Sequence, residues 1–366
     1  AGAGPVAARY ARACHRRWPG DAVFARYTVD AMGACGAVGR VQAMTLGPPP
    51  APLTEQIERA ILAGDLGGAE TCLAKIDAGD GPLQEALIYR PRATRLGSLL
   101  QEARILSAAG IDWAGADPKD LAAPAEDFFL AAQSIVQRMP ARAPAPARAG
   151  TGHGATETIQ LYLPYAHALS QEVHRTLDAL RGATRRKLIL RAEQDAQDWL
   201  QGHIGAEAAH AFGMATDPDQ RADLMRLATL WGEGGVAMTP LQWPSGDLDA
   251  LFDSIAGAGF FIDDGGAVSS DVVIAPPGHP VIGWALDRAV AACLSRETEH
   301  RWFKTGPGVL TRAVAAALPT ADVTLCPLTR LRRLLHPHRP FATPDGRAPQ
   351  PDFIAALAAI VGGGDP

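Results

Sequence analysis

The stretch from Arg138 to Gly154 reads Arg-Met-Pro-Ala-Arg-Ala-Pro-Ala-Pro-Ala-Arg-Ala-Gly-Thr-Gly-His-Gly, and it sets the expected organisation of the chain. Proline alternating with alanine extends a backbone, glycine loosens it, and almost nothing here is apolar enough to anchor in a core. Residues 138–156 therefore read as a linker, and 366 residues are expected to form more than one domain.

The two sides of this stretch have different textures. Residues 1–137 carry Ala, Leu, Arg and Glu in helical spacing, broken at Pro19-Gly20, at Leu46 to Pro52 and at Gly79 to Pro82. Thr54 is placed to cap a helix whose apolar face is Ile57, Ala60, Ile61 and Leu62. Gly64-Asp65-Leu66-Gly67 then turns the chain, and Ala69, Leu73 and Ile76 form the face of a second helix. An earlier pair, Ala7 to Arg17 and Ala22 to Cys35, repeats the pattern. Helical hairpins of this kind stack into concave surfaces that dock protein partners, so residues 1–137 are expected to form an all-α helical-hairpin module.

After the linker, short apolar runs alternate with amphipathic stretches. Strands are expected at 159–163, 187–190, 236–238, 259–262 and 272–274. Helices are expected at 169–180, 195–204, 207–212, 221–231, 280–295 and 308–317. This alternation predicts an α/β domain over 157–345 with a mostly parallel sheet. A short Ala-rich helix, Ile354 to Val361, falls in the remaining tail, 346–366.

Composition closes off other classes. Hydrophobic residues make up 47% of the chain, enough to build a core, and a net charge of −5 argues against nucleic acid as a partner. Five scattered cysteines form no C-x-x-C pair, so neither a zinc knuckle nor a disulfide framework is encoded. No apolar run approaches the roughly 20 residues of a membrane helix. Without a charged-then-apolar leader, the cytoplasm is the expected location. No G-x-S-x-G, H-E-x-x-H, Walker or G-x-G-x-x-G motif occurs. The 38 glycines and 29 prolines concentrate in the linker and in the loops after the expected strands, where backbone can approach a ligand closely.

Three blocks in series carry the strongest signal. Asp223-Leu224-Met225-Arg226 sets an acid and a base three residues apart on one helix face, ahead of Gly234-Gly235-Val236. Such a pair is either a solvated ion pair or, beside a strand end, an acceptor for sugar hydroxyls with a cation for phosphate. Asp271-Val272-Val273-Ile274-Ala275-Pro276-Pro277-Gly278-His279-Pro280 is the second block, and Lys304-Thr305-Gly306-Pro307-Gly308-Val309-Leu310-Thr311 the third.

In this order the blocks resemble the glycosyltransferases with a DXD sugar-binding region, a group that includes initiating α-mannosyltransferases, capsular polysaccharide transferases and clostridial glucosylating toxins. The resemblance spans roughly 157–340. It implies a GT-A-like α/β nucleotide-sugar domain that transfers a sugar from a nucleotide-sugar donor to a glycan or protein acceptor. By this resemblance Asp223, Arg226, Gly235, Asp271, Lys304, Thr305, Gly306 and His336 are the expected donor-sugar and phosphate residues. Thr305 and Gly306 would act through backbone contacts. The family also implies Mn²⁺ or Mg²⁺ on its Asp-x-Asp.

The chain departs from the family at that point. Thr239 and Leu241 stand where the two carboxylates belong, and neither offers one to a hard cation. Three accounts follow. Arg226, Lys304 or His336 could stabilise the leaving group without metal. Other carboxylates, Asp247, Asp249, Asp263 or Asp264, could be borrowed, although Asp263-Asp264-Gly265-Gly266 is also turn chemistry. Or catalysis is lost and the fold persists as a binding or scaffold protein. His279 before Pro280 reads as a helix-entry residue or a ligand contact. Arg330, Arg332, Arg333, His336, His338 and Arg339 form a solvated basic face or an anion site. Trp231, Trp243, Trp284 and Trp302 are core candidates, and Trp243, in a polar loop beside Pro244, has stacking on a sugar ring as its alternative.

Overall fold

The computed structural model describes residues 53–77, 83–139, 157–163, 171–240, 242–296, 299–318 and 321–337. The expected helices at 7–17, 22–35 and 354–361, the linker beyond Met139, Leu241, His338 and Arg339 lie outside them. The chain forms two compact bodies, one of residues 1–61, 65–96 and 341–366, the other of 62–64 and 97–340.

Helices α1 (Leu53–Leu62) and α2 (Leu66–Asp77) follow one another in the chain, and between them Gly64 takes φ +76°, a left-handed value that suits glycine. Ile57, Ile61 and Ala69 are buried as their spacing predicts. Helix α3 (Leu83–Ala108) begins in the first body, and its Arg95 pairs with Glu58 of α1 at 2.7 Å.

The second body starts at Gly97, well before the Pro/Ala stretch. It contains the short α4 (Pro124–Asp127) and α5 (Phe129–Arg138), in which every residue from Phe129 to Val136 is buried. Then come β1 (Thr158–Leu163), α6 (Gln171–Ala183), β2 (Lys187–Ala192), α7 (Glu193–His203), α8 (Ala206–Met214) and α9 (Pro218–Gly232). The chain continues through β3 (Gly235–Met238), β4 (Gln242–Pro244), α10 (Leu248–Asp253), β5 (Ala258–Ile262) and β6 (Val268–Ala275). It closes with α11 (Pro280–Leu294), α12 (Arg301–Lys304), α13 (Pro307–Ala317), β7 (Val323–Pro327), α14 (Leu328–Arg332) and β8 (Leu335–Pro337). Among the described residues no helix is long and apolar enough to cross a membrane.

Six strands form one sheet in the order β2-β1-β3-β6-β5-β7. The pairs β1/β2, β1/β3 and β5/β7 are parallel, as expected, whereas β6 runs antiparallel to both its neighbours. The cause is the turn after β5. Asp263 Oδ1 accepts the backbone N–H of Gly265 and of Ala267, which folds β5 tightly back into β6. Strands β4 and β8 make a separate two-stranded ribbon.

Side-chain alternation divides the core between the two faces of the sheet. Tyr162, Ala237, Phe260, Val273 and Leu325 pack on one face with α5, α7, α8, α9, α11 and α13. Ile159, Leu161, Val236, Met238, Phe261 and Ile274 pack on the other with α6, α10 and α14. The connection from β1 to β2 thus covers one face and the connection from β2 to β3 the other. The chain diverges at β1/β3, which opens a crevice at the carboxyl ends of those strands.

Candidate functional site

A cleft of about 300 Å³ occupies that crevice. Its floor comes from the strand ends: Gln160, Leu161 and Tyr162 of β1, Arg191 of β2, and Met238-Thr239-Pro240 at the end of β3. Ser270 and Asp271, in the antiparallel β6, face the same edge. One wall is α9, whose Asp219, Ala222, Asp223, Arg226 and Thr229 recur three or four residues apart and so share a face. Its intervening Leu224, Leu227 and Leu230 belong to the core. Asp217 caps this helix by accepting the N–H of Asp219 at 2.9 Å, and Pro218 fits its first turn. The opposite wall holds Arg301, Trp302 and Pro307.

At the centre lies the Asp223–Arg226 pair. Both side chains are about nine-tenths buried. Arg226 Nη1 donates to Asp223 Oδ1, and Nη2 donates to Thr239 Oγ1 at 3.4 Å. Its Nε is buried with no partner. Thr305, 1% exposed, shares its single hydroxyl hydrogen between Asp223 Oδ2 at 3.3 Å and the Arg301 carbonyl at 3.2 Å. Burial pushes the Asp223 carboxyl up to about 6, against the pull of Arg226.

The surrounding charges are paired as well. Arg301 Nε lies 3.0 Å from Asp217 and its Nη1 2.5 Å from Asp219. Arg332 of α14 binds Asp271. Arg191 donates to Gln160 and Glu233 and stacks on Trp199, 4.5 Å from the ring centroid. Glu233 also receives Gln160 Nε2 at 3.0 Å and Trp199 Nε1 at 3.1 Å.

The structure brings Asp223, Arg226 and Asp271 to the cleft and sets Thr305 and Gly306 directly behind it. The backbone N–H groups of Thr305 and Gly306 are not turned to a ligand; both donate to the Arg301 carbonyl. Gly306 instead lets the start of α13 come close, since a Cβ there would stand 3.1 Å from Asp223 Oδ2. Gly235 opens β3, at the opposite edge of the sheet. It takes φ +108°, and a Cβ there would press to 2.8 Å from the Thr158 carbonyl. Lys304 and His336 do not line the cleft; the His336 ring bonds Ser245 Oγ at 3.0 Å in the β4/β8 ribbon.

None of the carboxylates considered for a borrowed metal site lines the cleft, and three of the four are engaged elsewhere. Asp263 closes the β5/β6 turn, and Asp264, in the same turn, does not line the cleft. Asp247 caps α10, and Asp249 receives Thr184, the Arg185 N–H and Arg186. Among the described residues no group of three or more His, Cys, Asp or Glu is placed to hold a metal ion. Thr239, which the resemblance would align with an aspartate, has its hydroxyl facing Arg226. This donor set does not fit the hard cation that the family implies.

Among the lining residues that the sequence did not single out are Gln160, Arg191, Asp219 and Arg301. Their participation follows from strand order and helix packing, and no local motif marks them. Trp243 pairs with His336 in the ribbon, so the tryptophan at the cleft is Trp302. His279 starts α11 without a side-chain cap, and burial lowers its pKa.

Fold and cleft together define a mixed α/β protein with a ligand crevice at the switch point of its sheet. No protein-family model and no curated protein matches the chain. Among solved structures it is similar to the PaToxG glycosyltransferase, with 13% sequence identity over 55% of this chain and 80% of that chain and a TM-score of 0.38.

Proposed function

We propose that the cleft binds a nucleotide-sugar and that the protein is a glycosyltransferase transferring the sugar to a glycan or protein acceptor, with arginine in place of a divalent cation. The buried Asp223–Arg226 pair carries this reading. It stands at the carboxyl ends of β1 and β3, and Arg226, which lines the cleft, brings a guanidinium charge to a phosphate oxygen. Asp223, held by Thr305, offers carboxylate oxygens to sugar hydroxyls. The first turn of α13, beginning at Pro307 on the cleft wall, has no side-chain cap and adds a positive dipole end. Trp302 supplies an apolar surface for a sugar or base ring. On bond cleavage the diphosphate gains charge, and Arg226, which lines the cleft with Arg191 and Arg301, is the cation we assign to meet it.

A second reading keeps the donor site without transfer, as a binding or scaffold protein. Its support is that Asp219, Asp223 and Asp271 are each held by an arginine, which leaves none of them free as a base. Thermal-shift titration with UDP-, GDP- and CMP-sugars, with and without Mn²⁺, tests the shared donor site. Stabilisation without metal that disappears in Arg226→Ala is the expected result. No shift with any nucleotide-sugar would overturn both readings. Release of free sugar or its transfer to an acceptor then separates an enzyme from a binding protein.

A further inference from the structure

Within the sheet-bearing body, the end of α3 and α5, both ahead of the Pro/Ala stretch, reach the cleft through one contact chain. Phe129, the first residue of α5, is 2% exposed. Its ring packs edge-on against Trp302, with centroids 4.8 Å apart, and against Phe303 at 5.5 Å. Trp302 is the aromatic wall of the cleft. Arg312 of α13, 3% exposed, ties the same two segments together. It donates to the Asp127 carbonyl just before α5 at 3.1 Å and to the Phe303 carbonyl at 2.5 Å. The start of α5 has no side-chain cap of its own. Its Leu130 N–H is received instead by Glu102 Oε1, from the last turns of α3.

We infer that Phe129 and Glu102 are positioning residues of the cleft, Phe129 setting the Trp302 ring and Glu102 fixing the helix start that carries Phe129. The inference rests on the donor-site reading for its functional consequence, but the positioning itself is independent of any ligand. An edge-on aromatic pair restricts where both rings sit, and a cap from another helix fixes the register of that helix against α12. Burial also pushes the Glu102 carboxyl up to about 8, against the attraction of Arg312 and with the repulsion of Glu299. At neutral pH Glu102 is thus a protonated acid, which glutamine imitates in shape, charge and acceptor oxygen.

The test uses the full chain carrying 5-fluorotryptophan in place of its seven tryptophans, read by ¹⁹F NMR and assigned through Trp302→Phe. Phe129→Leu and Glu102→Ala are expected to move or broaden the Trp302 resonance while the others stay, and Glu102→Gln to restore it. With UDP-glucose and GDP-mannose as probes, Phe129→Leu is expected to weaken binding about three- to ten-fold, the loss of one aromatic pair. An unmoved Trp302 resonance in both Phe129→Leu and Glu102→Ala would overturn the inference. So would a uniform shift of all seven, which marks general loosening. Should no UDP-, GDP- or CMP-sugar bind the wild type, the donor-site reading fails, while the resonance pattern still decides the positioning. If Phe129→Leu does not fold, the Glu102→Ala and Glu102→Gln pair gives the same decision.

Discussion

Asp223 shows how one carboxylate can be costly to the fold and useful to a site. Its folded-state pKa of about 6 lies above its unfolded value because burial outweighs Arg226. A raised carboxyl contributes stability that is full below the unfolded pKa, near 4, and is lost as pH rises through 6. The melting temperature of the wild type, relative to Asp223→Asn, should therefore fall between about pH 4 and pH 6 and be flat above. The span is at most about 3 kcal/mol. Differential scanning calorimetry of the two proteins across that range checks it, and a difference that rises with pH would contradict it. The same ionisation places the carboxylate that is to hold sugar hydroxyls, so nucleotide-sugar binding should weaken as pH drops below 6. Gly235 gives a contrasting case. The resemblance made it a donor-site residue, yet its backbone takes a left-handed φ and its missing Cβ makes room for the Thr158 carbonyl. Gly235→Ala should cost about 2 kcal/mol or more of stability through strain and that close approach. Its effect on nucleotide-sugar affinity in the folded protein should be slight. Denaturant melts and a binding titration separate the two.

Among the elements, the sequence was most legible where one face is plainly apolar. The periodicity of α9, α11 and α13 located each helix within a few residues, and five of the sheet's six strands stood out as short apolar runs. Strand β7 did not, because Val-Thr-Leu-Cys-Pro mixes small polar and apolar residues that are all buried except the proline. The first half of β6 was also missed. Ser269, Ser270 and Asp271 read as loop, since Ser270 and Asp271 face the cleft rather than a core. Its direction was implicit in Asp263-Asp264-Gly265-Gly266, a turn too tight to allow a parallel crossover. The α9 half of the site was legible from Asp-x-x-Arg spacing. The remainder, Gln160, Arg191 and Arg301, depends on which elements become neighbours and has no local pattern. Thr311 shows how such distant elements are joined. It is fully buried, donates to the Pro307 carbonyl at 2.7 Å and receives the Val268 N–H at 3.0 Å, which fastens the first turns of α13 to the start of β6. Thr311→Val keeps the volume but leaves a buried N–H unsatisfied. It should destabilise by about 1–3 kcal/mol, measurable by urea denaturation.

For the whole molecule, composition and packing draw the outline of the α/β body differently. The Pro/Ala stretch is where the chain stops looking helical, but the body that holds the sheet already includes the segment from Gly97. The reason is visible in α5. A helix that is exposed on one side can belong to a separate module, whereas Phe129 to Val136 are buried all round, against α13 among others. Burying a single large apolar side chain contributes about 1.5–3 kcal/mol, so Phe129, Leu130, Ile135 and Val136 together contribute on the order of the 5–15 kcal/mol by which a domain is usually stable. Arg312 adds a second constraint: without α4 its guanidinium, 3% exposed, loses the Asp127 carbonyl that satisfies it. A protein beginning at residue 157 should therefore lack a cooperative thermal transition and aggregate through the uncovered face of α13. One beginning at Gly97 should keep a single transition and the near-ultraviolet circular dichroism of Trp302 packed on Phe129. Cooperative unfolding of the shorter protein would show that α5 is dispensable to the sheet-bearing body.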